Sequence, residues 1–499
     1  MTPKTSSDVV VATAQGRLRG RMDRGVASFK GVPYAAPPFG RHRFGPPQPA
    51  KSWSGVREAQ AYGAVAPQTP YPSPVSELLG DQGLVGEDCL NLNVWTPDPA
   101  TSGLPVMVWI PGGAFARGSG ALPVYDGARF AQDGVICVTI NYRLGCDGFL
   151  WFSPGTPNRG LLDQVAALEW VQQNIAAFGG DPSRVTLFGE SAGAFSIGAL
   201  LAMPRARGLF RRAILQSGAA HHTISPETAS MVLRNLAGAL GVAGTPDAIA
   251  AVPIDRLLQT QTALAGELAL KPDPSRWGET AANAMMFEPV VDGTVLPGRP
   301  IERIAAGAAA GIELMAGWTA EEFRFFLVPS GIIDRVTEPA LRATTAALGL
   351  SPDGLSVYRA ARPGASPGEL LAAVLTDWFF KVPAIRLAEA QAGSGGVTYL
   401  YEFAWRSPLF DERLGACHAI ELGFVFDNLA AATTMTGPQA PQTLADRMHR
   451  DWVAFAQGVD PGWPAYLESR RGIMRYDERG GTLVMDPAAD ARRVWDGIR

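Results

Sequence analysis

The chain has 499 residues, 47% hydrophobic and 18% charged, which is enough apolar content to bury a large core and excludes intrinsic disorder. Its 43 basic and 47 acidic side chains leave a net charge of −4, with no basic footprint for a nucleic-acid partner. With 56 glycines and 40 prolines, long stretches must be turns and shaped loops.

The opening segment, Met1-Thr-Pro-Lys-Thr-Ser-Ser, lacks the apolar region of a secretory leader. No run reaches the roughly 20 apolar residues of a membrane helix. A cytoplasmic protein with no membrane partner is expected. The first 60 residues read as turns, since the prolines of Gly31-Val-Pro-Tyr-Ala-Ala-Pro-Pro-Phe-Gly40 bar a helix interior. From about Leu90, short apolar runs alternate with helical stretches. Strands are predicted at Asn91–Trp95, Val106–Ile110, Val135–Asn141, Val185–Phe188, Ala213–Gln216, Ile312–Ala316 and Val397–Phe403. Helices are predicted at Leu161–Phe178, Ala192–Met203, Glu227–Leu240, Glu369–Ala392 and Leu444–Gln457. This alternation implies an α/β protein with a large, mostly parallel central sheet and helices on both faces. The Gly/Pro/Asp-rich patches at 67–86, 267–280, 327–338 and 362–368 read as loop or lid insertions. One catalytic domain over 1–499 is expected, with a helical lid or regulatory subregion around 225–390.

Gly189-Glu190-Ser191-Ala192-Gly193 fits GxSxG. A buried-strand run precedes it and a helix former follows, which is the strand–Ser–helix arrangement of a nucleophile elbow. The plainer reading is a serine N-cap between turn glycines. Trp109-Ile-Pro-Gly-Gly-Ala-Phe115 also follows a strand, and its small residues would let backbone N–H groups face a cavity. Alone, it would be an ordinary glycine turn. Of the five histidines, His42 lies between two arginines and His449 reads as a surface helix residue. His418 opens an apolar stretch beyond a candidate acid. The adjacent His221 and His222 would face opposite sides of an extended chain, a poor metal site. Cys89, Cys137, Cys146 and Cys417 form no CxxC pair, so neither a zinc ribbon nor a disulfide scaffold is expected.

Together these segments resemble the type-B carboxylesterase/cholinesterase family of α/β-hydrolases, in particular the bacterial carboxylesterases of the para-nitrobenzyl esterase kind. The resemblance runs from Phe29-Lys-Gly-Val-Pro-Tyr34 and Arg43-Phe-Gly-Pro-Pro47 through Glu87-Asp-Cys-Leu-Asn-Leu-Asn-Val-Trp95 and Asn141-Tyr-Arg-Leu-Gly145. It continues through Gly160–Gly193 and Phe210-Arg-Arg-Ala-Ile-Leu-Gln-Ser-Gly218 to Trp463-Pro-Ala-Tyr466. It implies an α/β-hydrolase fold and a catalytic triad of Ser191, Glu322 and His418, with Glu321 as a neighbour of the acid. An oxyanion hole is implied at the N–H groups of Gly113, Ala114 and Ala192, with Glu190 and Ser217 supporting the triad. Arg43 and Glu87 resemble a structural ion pair. Phe115, Trp318, Phe325, Phe326, His221 and His222 are expected to wall the substrate pocket. Residues 71–86 lack the tryptophan that would meet a choline head, and Cys89 lacks its disulfide partner, so a cholinesterase is not expected.

The implied activity is serine carboxylesterase chemistry through an acyl-enzyme, on a small-molecule ester, without a metal or organic cofactor and with a monomer favoured. An acid limb near an ordinary histidine pKa of about 6–7 is expected. Alternatives are a specialised hydrolase of amides, carbamates, or toxin or polymer esters, and a non-catalytic binding relative of the same fold.

Overall fold

The computed structural model describes residues 7–499. Its strands are β1 (Ser7–Thr13), β2 (Gly16–Asp23), β3 (Val26–Pro33), β4 (Val56–Glu58), β5 (Asn91–Thr96), β6 (Leu104–Ile110) and β7 (Ile136–Ile140). They continue with β8 (Gly180–Glu190), β9 (Arg212–Gln216), β10 (Glu313–Thr319), β11 (Thr398–Phe403), β12 (Gly472–Asp477) and β13 (Gly480–Met485). All join one sheet in the order β1-β2-β3-β5-β7-β6-β8-β9-β10-β11-β12-β13, with β4 alongside β2. The run from β7 to β12 is parallel. The two ends close with antiparallel strands.

Every predicted strand is present. β6 shows why they were visible. Val106, Val108 and Ile110 pack into one apolar layer while Met107 and Trp109 enter the other. A strand covered on both faces has no polar side, so it reads as an unbroken apolar run. Helices Arg159–Asn174 and Ala192–Ala202 supply the first layer, and helix Gln442–Gln457 supplies the second through Leu444, Met448 and Trp452. The first 60 residues depart from expectation, because they hold strands β1–β4. β2, Gly-Arg-Leu-Arg-Gly-Arg-Met-Asp, buries only Leu18 and Gly20, so pairing rather than apolar pattern makes it a strand.

Two further expectations are corrected. His449 is buried, donates from Nδ1 to the Val425 carbonyl at 2.7 Å and packs 4.4 Å from the Phe130 ring, because its helix face meets the second core layer. Arg43 pairs with Asp147 at 2.8 Å, while Glu87 is exposed. The short helix Gly145–Phe149 brings Asp147 to that guanidinium instead.

Around 225–390 the regular elements are helices apart from β10, including Pro226–Leu240, Ile254–Leu270 and a continuous helix from Pro367 to Gly393, with a loop at 284–299 between them. That last helix contains a π turn at Asp377–Lys381. Pro383 explains it: with no N–H to offer Phe379, the regular ladder cannot close there, and one extra residue enters the turn. No described helix is long and apolar enough to cross a membrane. All four cysteines are buried and unpaired.

Candidate active site

The carboxyl ends of β6, β8, β9 and β10 carry four loops to one rim, the place where parallel sheets present their ligand groups. Ser191 follows β8 directly, at φ 55° and ψ −123°. A non-glycine residue holds such a conformation at a cost on the order of 1–3 kcal/mol, and only when its surroundings enforce it. Here the Ser191 N–H donates to the Gln216 carbonyl at 3.0 Å, and its carbonyl accepts from the Phe195 N–H at 2.8 Å. A Cβ on Gly193 would collide with the Ile110 carbonyl, so the spacing of the motif is a packing requirement set by the end of β6. The helix starting at Ala192 leaves its first amides without intrahelical acceptors. Among the described residues the Ser191 hydroxyl has no hydrogen-bond partner.

After β6, Gly113, Ala114 and Phe115 all take positive φ, at 117°, 53° and 58°. The turn is pinned from several sides. The Tyr142 hydroxyl donates to the Pro111 carbonyl at 2.9 Å. The Gly145 N–H donates to Phe115 at 2.7 Å, and the Ala116 and Arg117 N–H groups donate to Gly113 at 3.1 and 2.9 Å. The N–H groups of Gly113 and Ala114 find no acceptor among the described residues.

Glu322, fully buried beyond β10, accepts the Thr319 N–H on Oε1 at 2.8 Å and meets His418 Nδ1 on Oε2 at 2.6 Å. The His418 N–H also donates to the Glu322 carbonyl at 3.2 Å. Glu321 points the other way. It accepts the Ala416 N–H at 3.0 Å and pairs with Arg324 at 2.9 Å and Arg406 at 2.5 Å. The other imidazole nitrogen, Nε2, lies 2.9 Å from Glu190 Oε1, the carboxylate directly before Ser191. Burial alone would lower the His418 pKa, but attraction to Glu190 and Glu322 outweighs it and holds the imidazolium well above the ordinary range. A third carboxyl, Glu421, is fully buried nearby. Burial, then repulsion from Glu190 and Glu322, pushes it up to about 8. It accepts from Gln216 Nε2 at 3.2 Å, and Gln216 Oε1 accepts the Trp452 indole N–H at 3.1 Å. Ser217, at φ 47°, is buried with its hydroxyl unpartnered.

The expected pocket residues divide. Phe326 is 40% exposed with its ring 5.3 Å from His418, and Phe325 packs edge-on against it. Trp318 and Phe115 are fully buried instead. Trp318 donates to Glu402 at 3.0 Å from inside β10, and Phe115 packs on Phe149 at 4.8 Å, so both back the site rather than face it. His222 is buried between Phe195 at 4.1 Å and Phe379 at 5.2 Å, and His221 is half-buried. Burial first, and then the Arg499 cation, lower both imidazole pKa values well below the ordinary range, so they are neutral side chains. Sequence reasoning missed Phe380, 4.8 Å from His418, and Phe379, which reaches Phe326 through Phe323 in steps of 5.0 Å. The aromatic triplet Trp378-Phe379-Phe380 in an Ala/Leu-rich helix was the available signal. An apolar cavity of about 230 Å³ lies behind the His418 loop, between Leu78, Leu122, Tyr125, Ala419, Leu422 and Met435. Among the described residues no group of three or more His, Cys, Asp or Glu side chains is arranged to hold a metal ion.

Comparison with known proteins places this geometry in context. Residues 7–483 match the profile of the carboxylesterase family. The para-nitrobenzyl esterase of Bacillus subtilis (strain 168) is 38% identical, the match covering 97% of this chain and 98% of that protein. The phenmedipham hydrolase of Pseudarthrobacter oxydans is 37% identical over 96% and 97%. Among solved structures, a Geobacillus stearothermophilus carboxylesterase at pH 6.2 superposes with a TM-score of 0.85 at 37% identity, covering 97% of this chain and 99% of that one. A thermophilic PNB esterase superposes with a TM-score of 0.85 at 38% identity, over 98% and 100%.

Proposed function

The chain belongs to the carboxylesterase family, carboxylic ester hydrolases of the α/β-hydrolase fold, and from that premise we propose that Ser191, His418 and Glu322 act as nucleophile, general base and orienting acid. The observation that carries the reading is the 2.6 Å contact of Glu322 with His418 Nδ1 beside the strained Ser191 turn. A carboxylate only accepts, so Glu322 holds the proton on Nδ1; once the imidazolium loses its other proton and Nε2 leaves Glu190, that nitrogen can take the proton from Ser191. The alkoxide attacks the ester carbonyl. The oxyanion that forms is stabilised by the N–H groups of Gly113, Ala114 and Ala192, typically by several kcal/mol. His418 returns the proton to the departing alcohol, and water activated by the same imidazole releases the acid. An organophosphate such as diethyl p-nitrophenyl phosphate tests the assignment. One adduct per chain, on Ser191, is expected; an adduct on another residue overturns it.

The pH profile follows from the two carboxylates on His418. With Nδ1 and Nε2 both facing acceptors, the arrangement described is that of the imidazolium, which is not a base. Because its pKa is raised, the neutral base is gained only as pH climbs past that higher value. The acid limb of kcat/KM is therefore expected above the 6–7 of an ordinary histidine. Removing one attraction by Glu190→Gln should move the limb to lower pH. An unmoved limb in that variant would mean that Glu190 does not govern the base.

For the substrate, we propose small esters with short acyl groups, acetyl to butyryl, bounded by Phe326, Phe323, Phe379 and Phe380. Phe326→Ala should shift the optimum towards longer or branched acids, each methylene of fit being worth about 1–3 kcal/mol. As Phe326 is 40% exposed, its melting temperature should change little. A panel of p-nitrophenyl esters with a thermal melt checks both. An unchanged chain-length profile with a large loss of stability would make Phe326 a packing residue.

A further inference from the structure

The loop at 67–86 supplies a group that the reading above does not use. Tyr71 stands between Pro70 and Pro72, which restrict the backbone on either side of it. Its stretch is tied to the glycine turn after β6. Gln68 donates to the Gly118 carbonyl at 3.0 Å and accepts the Gly118 N–H at 2.9 Å. Arg117 donates to the carbonyls of Thr69 at 3.1 Å and Pro70 at 3.3 Å, and to the Thr69 hydroxyl at 3.2 Å. Its guanidinium also lies 5.3 Å from the centre of the Tyr71 ring. The phenol is thus held by the residue that closes the turn carrying Gly113.

The hydroxyl end sits at that turn. A Cβ built on Gly113 would collide with the Arg117 carbonyl and stand 3.0 Å from Tyr71 Oη, so the phenol oxygen borders the glycine turn. Among the described residues this hydroxyl makes no hydrogen bond. Glu190, the neighbour of Ser191, is close enough to act on it. Burial, partly offset by Arg117 and reinforced by Glu190, pushes the phenol up to about 12, so it keeps its proton at any working pH. A neutral, positioned and unused O–H thus borders the turn that carries two unused N–H donors.

We infer that Tyr71 Oη is a side-chain donor of the oxyanion hole, giving a hydrogen bond to the ester carbonyl oxygen as negative charge develops on it. This rests on the assignment of Ser191 as the nucleophile and of Gly113 and Ala114 as donors. The bond strengthens as the oxygen gains charge, so its contribution appears in kcat rather than in KM. Two prolines and Arg117 have already fixed the phenol, so little reorganisation is needed during reaction.

Tyr71→Phe removes only the oxygen. With p-nitrophenyl butyrate, kcat should fall by about 10²-fold, the scale for one lost oxyanion donor, with KM within twofold. The discriminating measurement replaces the carbonyl oxygen by sulfur, a poorer hydrogen-bond acceptor. The wild type should favour the oxygen ester over its thiono analogue, and in Tyr71→Phe that preference should narrow by the same factor by which kcat falls. Loss of both esters in equal proportion overturns the proposal and makes the phenol a packing group. So does a kcat within twofold of wild type, or a narrowed preference in Tyr125→Phe but not in Tyr71→Phe. A loss that grows with the basicity of the leaving alcohol, at unchanged thiono preference, overturns it too, by assigning the hydroxyl to the leaving oxygen. Organophosphate titration keeps the two readings apart. If the variant still takes one adduct on Ser191, failure concerns Tyr71 alone. If the wild type takes none there, the nucleophile assignment itself fails.

Discussion

Ser191→Ala is expected to lower kcat by about 10⁵–10⁶-fold while the protein keeps its fold. The methyl group of alanine fits where the serine Cβ already is, and the turn is enforced by backbone bonds to Gln216 and Phe195 that do not involve the hydroxyl. Stability should therefore stay within a few tenths of a kcal/mol of wild type, the usual range for a side-chain change that breaks no packing or buried hydrogen bond. What remains after the substitution is whatever the oxyanion donors and His418 can do for a water molecule. Ester turnover measured with a thermal melt decides the matter. A folded variant retaining a tenth of the wild-type rate would place the nucleophile elsewhere.

Glu322→Gln carries the second large effect, a fall in kcat of about 10⁴-fold, and Glu321→Gln should stay within about tenfold of wild type. The reason lies in which atoms are already engaged. Oε1 of Glu322 accepts the Thr319 N–H, and a glutamine must keep its oxygen there to avoid two donors meeting. Its NH₂ then faces His418 Nδ1, which is forced to become an acceptor. The ring proton moves to Nε2, and the base is lost. Glu321 has no such role: its glutamine can still accept the Ala416 N–H, and it gives up partly exposed pairs with Arg324 and Arg406 worth roughly 1 kcal/mol or less. Equal effects in the two variants, or the reverse ranking, would shift the acid by one residue. The ¹⁵N chemical shifts of the His418 ring in Glu322→Gln would report the tautomer directly.

What the sequence disclosed and what it hid follow from the same physics. Strands β5 to β11 are covered on both faces and so announce themselves as apolar runs, and the serine turn is legible because Gly193 touches the end of β6. Strand β2, with three arginines in eight residues, depends on its neighbours and has no such signature. The same contrast runs through the site. Glu322 and His418 fall on motif positions, whereas Phe380 and Tyr71 reach the rim from a distant helix and a proline-bound loop. No local pattern couples those segments to it. Glu421 was hidden for another reason: one carboxyl in an apolar stretch looks like an error in the pattern until Glu190, Glu322 and Gln216 are seen around it. Arg43 kept its place but changed partner, because the position of Asp147 depends on a single turn of helix.

The π turn at Asp377–Lys381 also bears on how such an enzyme diversifies. The turn holds one residue more than a regular helix, and it contains both Phe379 and Phe380. Deleting one codon within it would restore ordinary α-helical spacing while leaving the two ends of the helix close to their present relative orientation, so the change is confined to the turn itself. The helix would survive, yet the rings beside His418 would point elsewhere. A change in the accepted acid is thus one in-frame deletion away, with the sheet, the serine turn and every loop at the rim left as they are.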